Sequence, residues 1–312
     1  MRSAFDHARR VMAIAMFYIE KLPALTAAAA FLAAAPLAAQ DGQPAGGPPQ
    51  GAQGGAVPTG GPPPGVQQEG WTVTVGAAPF YTPAWQGSDE MALSIFPDVR
   101  INYDDKLFAS VPEGIGWNAI NADGWKAGPV ARVRFGRDED NGGSPFQVTG
   151  GSKALIGMGD IDASIEAGGF VEKSFGSKRQ WEIGARVVRG FGGYEGTVAD
   201  FSLNHRLRYG GTIASFGPRL SLASAGFMRP YFGIDAVQSL NTGLEQYNPG
   251  GGILSYGVGG TIVRPLGRRS AITVISSIER LESEAGSSPL VRERGQRMQY
   301  SIGVAYGFRF GL

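Results

Sequence analysis

The segment Tyr300–Leu312, "YSIGVAYGFRFGL", alternates along its whole length. Ile302, Val304, Tyr306, Phe308, Phe310 and Leu312 are apolar, whereas Ser301, Gly303, Ala305, Gly307, Arg309 and Gly311 are small or charged. Successive side chains of a β-strand point to opposite faces, so one face is a continuous apolar strip and the other carries almost no bulk. Two settings accept such a strand. A soluble sandwich would bury the strip, and a membrane barrel would turn it to lipid around a polar lumen.

The upstream sequence favours the barrel. From Trp71 onward Gly interrupts nearly every window of helical period, and period-two segments take over. Trp125, Ala127, Ala131 and Val133 alternate with Lys126, Gly128, Arg132 and Arg134; Ile165 and Val171 with Glu166 and Glu172; Trp181, Ile183 and Ala185 with Glu182, Gly184 and Arg186. Charges of both signs recur on the faces opposite the apolar ones. A dry sandwich core tolerates this poorly, whereas in a lumen they can pair across strands and with water. Turn signals separate the segments, among them "NYDDK" at 102–106, "NADG" at 121–124, "FGSKR" at 175–179 and "LGRRS" at 266–270. Strands are expected to begin near 71, 92, 107, 125, 161, 180, 197, 210, 229, 252, 270 and 298.

The expected fold is therefore an all-β, transmembrane antiparallel barrel of ten to twelve strands over 71–312, closed because lipid offers no partner for a free strand edge. One conflict stands in this reading. If the C-terminus and "GRRS" share the periplasmic end, the short "FGSKR" turn falls on the outer side and the long 136–160 connection on the inner, which points to a missed or split strand between 136 and 210.

Ahead of the barrel, Arg2, Arg9, Arg10 and Lys21 precede "LPALTAAAAFLAAAPLAA", an apolar run ending in small residues, the order of a secretory signal peptide over 1–39 with cleavage after Ala39. A membrane anchor is the rival reading, but the run is Ala-rich and of minimal length for a span. Residues 40–70 hold little besides Gly, Pro, Gln and Ala and are expected to form a disordered linker. The 312-residue chain has no Cys, which excludes disulfides, CxxC pairs and thiolate metal sites. From Trp71 onward 24 Lys and Arg balance 23 Asp and Glu, so no nucleic-acid partner is implied.

Parts for catalysis are few. His205 is the single histidine after Trp71, and on its strand's alternation it shares the outward face with Leu203 and Leu207; a His-dependent hydrolase would have to use it. Asp138, Glu139 and Asp140 could offer oxygen ligands to a divalent cation, but adjacent loop acids without an alternating frame fit solvation better. "GGSK" at 150–153 lacks the phosphate-loop frame. No enzyme, cofactor or metal is expected.

Several motifs in order carry a family resemblance. Trp85, Gly87, Ser88 and Asp89 are followed by Pro97 and by Tyr103 in "INY"; then come Gly136 and Arg137, "YFG" (Tyr231, Phe232, Gly233), and "SPLV" with Ser288 and Pro289. In this order the chain resembles the MipA/OmpV outer-membrane proteins. The resemblance implies a barrel in the outer membrane of a Gram-negative bacterium, a chain that meets outer-membrane lipid and the barrel-assembly machinery. Tyr306, Phe308, Phe310 and Leu312 would form the C-terminal assembly strand, with Leu in place of the more usual terminal Phe. It further implies a non-enzymatic scaffold that brings a lytic transglycosylase to a penicillin-binding protein at the peptidoglycan layer, with a small-solute pore or an adhesin as the alternatives.

Overall fold

The computed structural model describes residues 70–143 and 145–311; the signal peptide expected over 1–39, all of the linker expected over 40–70 except Gly70, and Leu312 lie outside them. The strands are β1 (Trp71–Pro83), β2 (Met91–Tyr103), β3 (Leu107–Ser110), β4 (Gly114–Trp117), β5 (Ile120–Ala122), β6 (Trp125–Arg134), β7 (Gln147–Gly150), β8 (Ser164–Phe175), β9 (Trp181–Gly192), β10 (Thr197–Tyr209), β11 (Thr212–Ala223), β12 (Gly252–Pro265), β13 (Ser270–Leu281) and β14 (Met298–Gly311). Four short helices interrupt them: α1 (Ala225–Phe232), α2 (Ala236–Thr242), α3 (Ser283–Ser287) and α4 (Pro289–Arg294).

Every neighbour in the sheet is antiparallel, and β1 pairs with both β2 and β14, so the sheet closes. Twelve staves make the ring, in the order β1, β2, β3, β4, β6, β8 to β14; β5 extends the edge of β6 beside β4, and β7 adds to β2. Closure leaves no unpaired edge for lipid to desolvate. Most staves run 10–14 residues, enough for a tilted crossing of about 9–11.

The alternation of the last strand is realised as faces. Ile302 and Val304 are 50% and 43% exposed on the outside, while Gly303 and Ala305 are buried inside. Gly303 has a local reason: a Cβ there would lie 2.4 Å from the ring of Phe80 on β1. At the end that carries Trp71 and Gly311, outward Trp71, Trp117, Trp125, Phe175, Trp181 and Phe310 form an aromatic girdle.

The conflict in the strand order is resolved by two corrections. The missed strand lies before 125, at β4, where four residues with two glycines gave too short an apolar pattern to register. The strand expected near 229 does not exist; "YFG" ends α1. The two errors cancel in the count and together restore parity. All connections at the end of the termini are now short, down to the two glycines 210 and 211, whose positive φ values of 53° and 80° suit a tight hairpin. The long ones, 135–163, 224–251 and 282–297, gather at the opposite mouth.

Candidate functional site

Charged side chains line the lumen in both signs. Arg132 and Arg134, two apart on β6, point the same way and meet Glu166 of β8 on opposite carboxylate oxygens. The hydroxyl of Tyr194, from the 193–196 connection, donates to the same carboxylate. Asp200 accepts from Ser221 at 2.7 Å, and Glu279 accepts from Ser255 at 2.9 Å. Nearer the termini, Arg206 donates to Glu182 at 3.0 Å and Arg100 to Asp98 at 2.8 Å. Burying such charges is costly unless each is paired and hydrogen-bonded, so the ladder holds the staves in register by mutual dependence.

Above Glu166 the mouth is plugged. Leu155, Tyr194, Phe227, Met228, Tyr231, Phe232, Leu290 and Val291 are all at most 1% exposed and belong to one apolar cluster. These residues come from four different connections, none of which could bury them alone. The plug sits directly on the ladder: the Arg134 guanidinium lies 5.2 Å from the centre of the Phe227 ring, which stacks on Tyr231 at 4.6 Å.

Hydrogen bonds from side chains to backbone groups lock the connections together. Arg137 donates to the Tyr231 carbonyl at 2.8 Å and Ser288 to the Phe232 carbonyl at 2.7 Å. Gln238 donates to the Met158 carbonyl at 2.7 Å. Arg294 spans two connections, donating to the carbonyls of Ala154 and Thr242. On the β1–β2 side, Gly87 donates to Gln299 at 2.9 Å and accepts from the Gln296 amide at 2.7 Å. Gly87 has φ of 121°, and a Cβ at Gly295 would fall 2.1 Å from its carbonyl oxygen, so both positions need glycine.

Ten of the sequence-motif residues therefore converge here: Trp85, Gly87, Ser88, Gly136, Arg137, Tyr231, Phe232, Gly233, Ser288 and Pro289. Gly136 meets the returning chain so closely that a Cβ would lie 1.7 Å from the Ile161 carbonyl. Asp89 is exposed beside the plug. Pro97 and Tyr103 are elsewhere, on the outward face of β2, where Tyr103 packs on Trp71 at 4.8 Å. Tyr306, Phe308 and Phe310 share the outward face of β14.

The loop acids serve the loop. Asp138 accepts from the Asp140 amide at 2.8 Å, and Glu139 accepts from the amides of Gly157 and Gly159. Among the described residues no group of three or more His, Cys, Asp or Glu converges to hold a metal. His205 lies on the outward face between Trp181, 4.4 Å away, and Phe216. Burial pushes Arg137 down to about 10 and raises Tyr231, both near one another in the plug.

The sequence pattern of the family described as MltA-interacting protein MipA matches residues 75–310, from the first stave to the last. The chain belongs to the MipA family. No curated protein matches it. Among solved structures, this MipA-family chain is similar to an outer membrane channel from Pseudomonas putida F1 at 12% identity, covering 80% of this chain and 99% of that one with a TM-score of 0.40. It is also similar to the NanC porin at 9% identity, 76% and 98% coverage and TM-score 0.36. The β domain of the Bordetella autotransporter BrkA gives 12%, 78%, 100% and 0.36.

Proposed function

We propose that this MipA-family barrel resides in the outer membrane as a non-enzymatic scaffold for murein-remodelling enzymes, with a lytic transglycosylase and a penicillin-binding protein as its partners. The observation that carries the reading is the plug: four connections commit their apolar residues and backbone carbonyls to closing one mouth, which suits a support better than a conduit. The family description names an MltA-interacting protein, and in this proposal the lytic transglycosylase is the first partner. Residues 1–39 would direct export and 40–70 would act as a spacer before the barrel, with the C-terminal aromatic strand presented to the assembly machinery. A small-solute pore is the second reading, favoured by the charges of both signs in the lumen.

Equilibrium binding of the purified, detergent-solubilised chain to a soluble lytic transglycosylase tests the scaffold. Saturable binding that survives physiological salt is expected. Binding no better than to an unrelated outer-membrane barrel would exclude that partner.

A further inference from the structure

The lipid-facing wall is not uniformly convex. A groove of about 500 Å³ opens on the outside across β6, β8, β9, β10 and β11, lined by Trp125, Val171, Ile183, Ala185, Phe201 and Leu203. Its floor is low because Ala185 stands between Val171 and Phe201, its cross-strand neighbours. At its edge, towards the end that carries the termini, the Lys173 ammonium lies 4.8 Å from the centre of the Trp125 ring and donates to the Asp123 carbonyl. Five and six residues further along the same hairpin, exposed Lys178 and Arg179 occupy the β8–β9 turn.

The charge around this rim is divided. The turn after β2 carries Asp104 and Asp105 beside Lys106, and the turn before β6 carries Asp123, whereas the β8–β9 and β12–β13 turns carry Lys178, Arg179, Arg268 and Arg269 and no acid. Exposed Leu207, Tyr209 and Leu266 stand beside these cations. Apolar and aromatic side chains set among Lys and Arg at the end of a lipid-facing wall match the headgroup level of a bilayer. An aqueous protein partner would gain nothing from the greasy groove below.

From this we propose that the groove and the basic turn above it form a site for one anionic phospholipid of the leaflet on the side of the termini, an acyl chain lying on Ala185 and the phosphate facing Lys173, Lys178 and Arg179. The site rests on the barrel spanning a bilayer. Clustered basic residues at the membrane surface attract anionic lipid, each adding about fivefold in affinity.

Trp125 supplies its own probe. The full chain is reconstituted in phosphatidylcholine vesicles containing a minor fraction of brominated phosphatidylglycerol or, in parallel, of brominated phosphatidylcholine, and the Trp125 signal is taken as the difference from Trp125→Phe. Brominated phosphatidylglycerol should quench it at a severalfold lower mole fraction. Lys173→Gln/Lys178→Gln/Arg179→Gln, in exposed or interfacial positions, should remove that preference while leaving heat-resistant migration intact. Ala185→Leu should weaken quenching by both lipids. Equal quenching by the two lipids in the wild type, or a preference unchanged in the triple variant, would overturn the site and leave the basic arc to an acidic protein. Failure of the barrel to insert shows separately, as no quenching of any tryptophan by either lipid.

Discussion

Glu166 is the residue on which most depends. It is fully buried and answers two arginines and a tyrosine, one of them from the plug. Glu166→Gln keeps the shape but leaves the Arg134 guanidinium without its counter-charge and Arg132 with Asp200 alone, 4.0 Å away, and losing one side of a buried pair costs about 3–5 kcal/mol. The temperature at which the barrel loses its compact migration on gels should fall markedly, whereas Glu139→Gln, in an exposed loop, should move it little. Gly87→Ala strains a left-handed position and drives a Cβ to 2.5 Å from the Trp85 ring and 2.9 Å from Val291, an expense of about 1–3 kcal/mol; faster proteolysis within 282–297 is the expected sign. Tyr247, in the plug's outer shell, is pushed up to about 12 by partial burial and by its hydrogen bond to Glu284. Because the folded value lies above the ordinary one near 10, this contact supports the fold below pH 10 and is lost between 10 and 12. Ultraviolet titration of wild type minus Tyr247→Phe should place the ionisation there.

Among the elements, β14 was legible from sequence because its alternation is long and uninterrupted, and its outward face follows directly. Val304 lies midway along it, opposite Val274, so Val304→Arg should cost about 2–4 kcal/mol in the bilayer and sharply reduce assembled barrel. Arg309→Lys, on the inner face, should be nearly silent. β4 was illegible because four residues with two glycines carry too little pattern. The aromatic run at 229–232 misled in the opposite direction: its apolar residues pack into the plug from a helix rather than from a strand. The charged faces of β6 and β8 could be assigned to the lumen from period two alone. That Arg132 and Arg134 share Glu166 could not, since the pairing depends on a register set across residues 134–164. The motif residues gave their order along the chain but not their convergence, because Arg137 meets Tyr231 across 94 positions and through a backbone carbonyl that any residue would supply.

The barrel entire is a closed ring of twelve staves, charged within and plugged by an apolar cluster at the mouth away from its termini. The largest share of the seal, Phe227, Met228, Tyr231 and Phe232, can be removed together, since Ala223 and Gly252 at the ends of β11 and β12 are cross-strand partners that a two-residue turn can join in place of 224–251. Single-channel recording in planar bilayers compares the two proteins most directly. Wild type should insert and remain silent, and the variant lacking the 224–251 connection should give stepwise currents through the charged lumen. Stepwise currents from wild type, equal to those of the variant, would contradict a sealed scaffold.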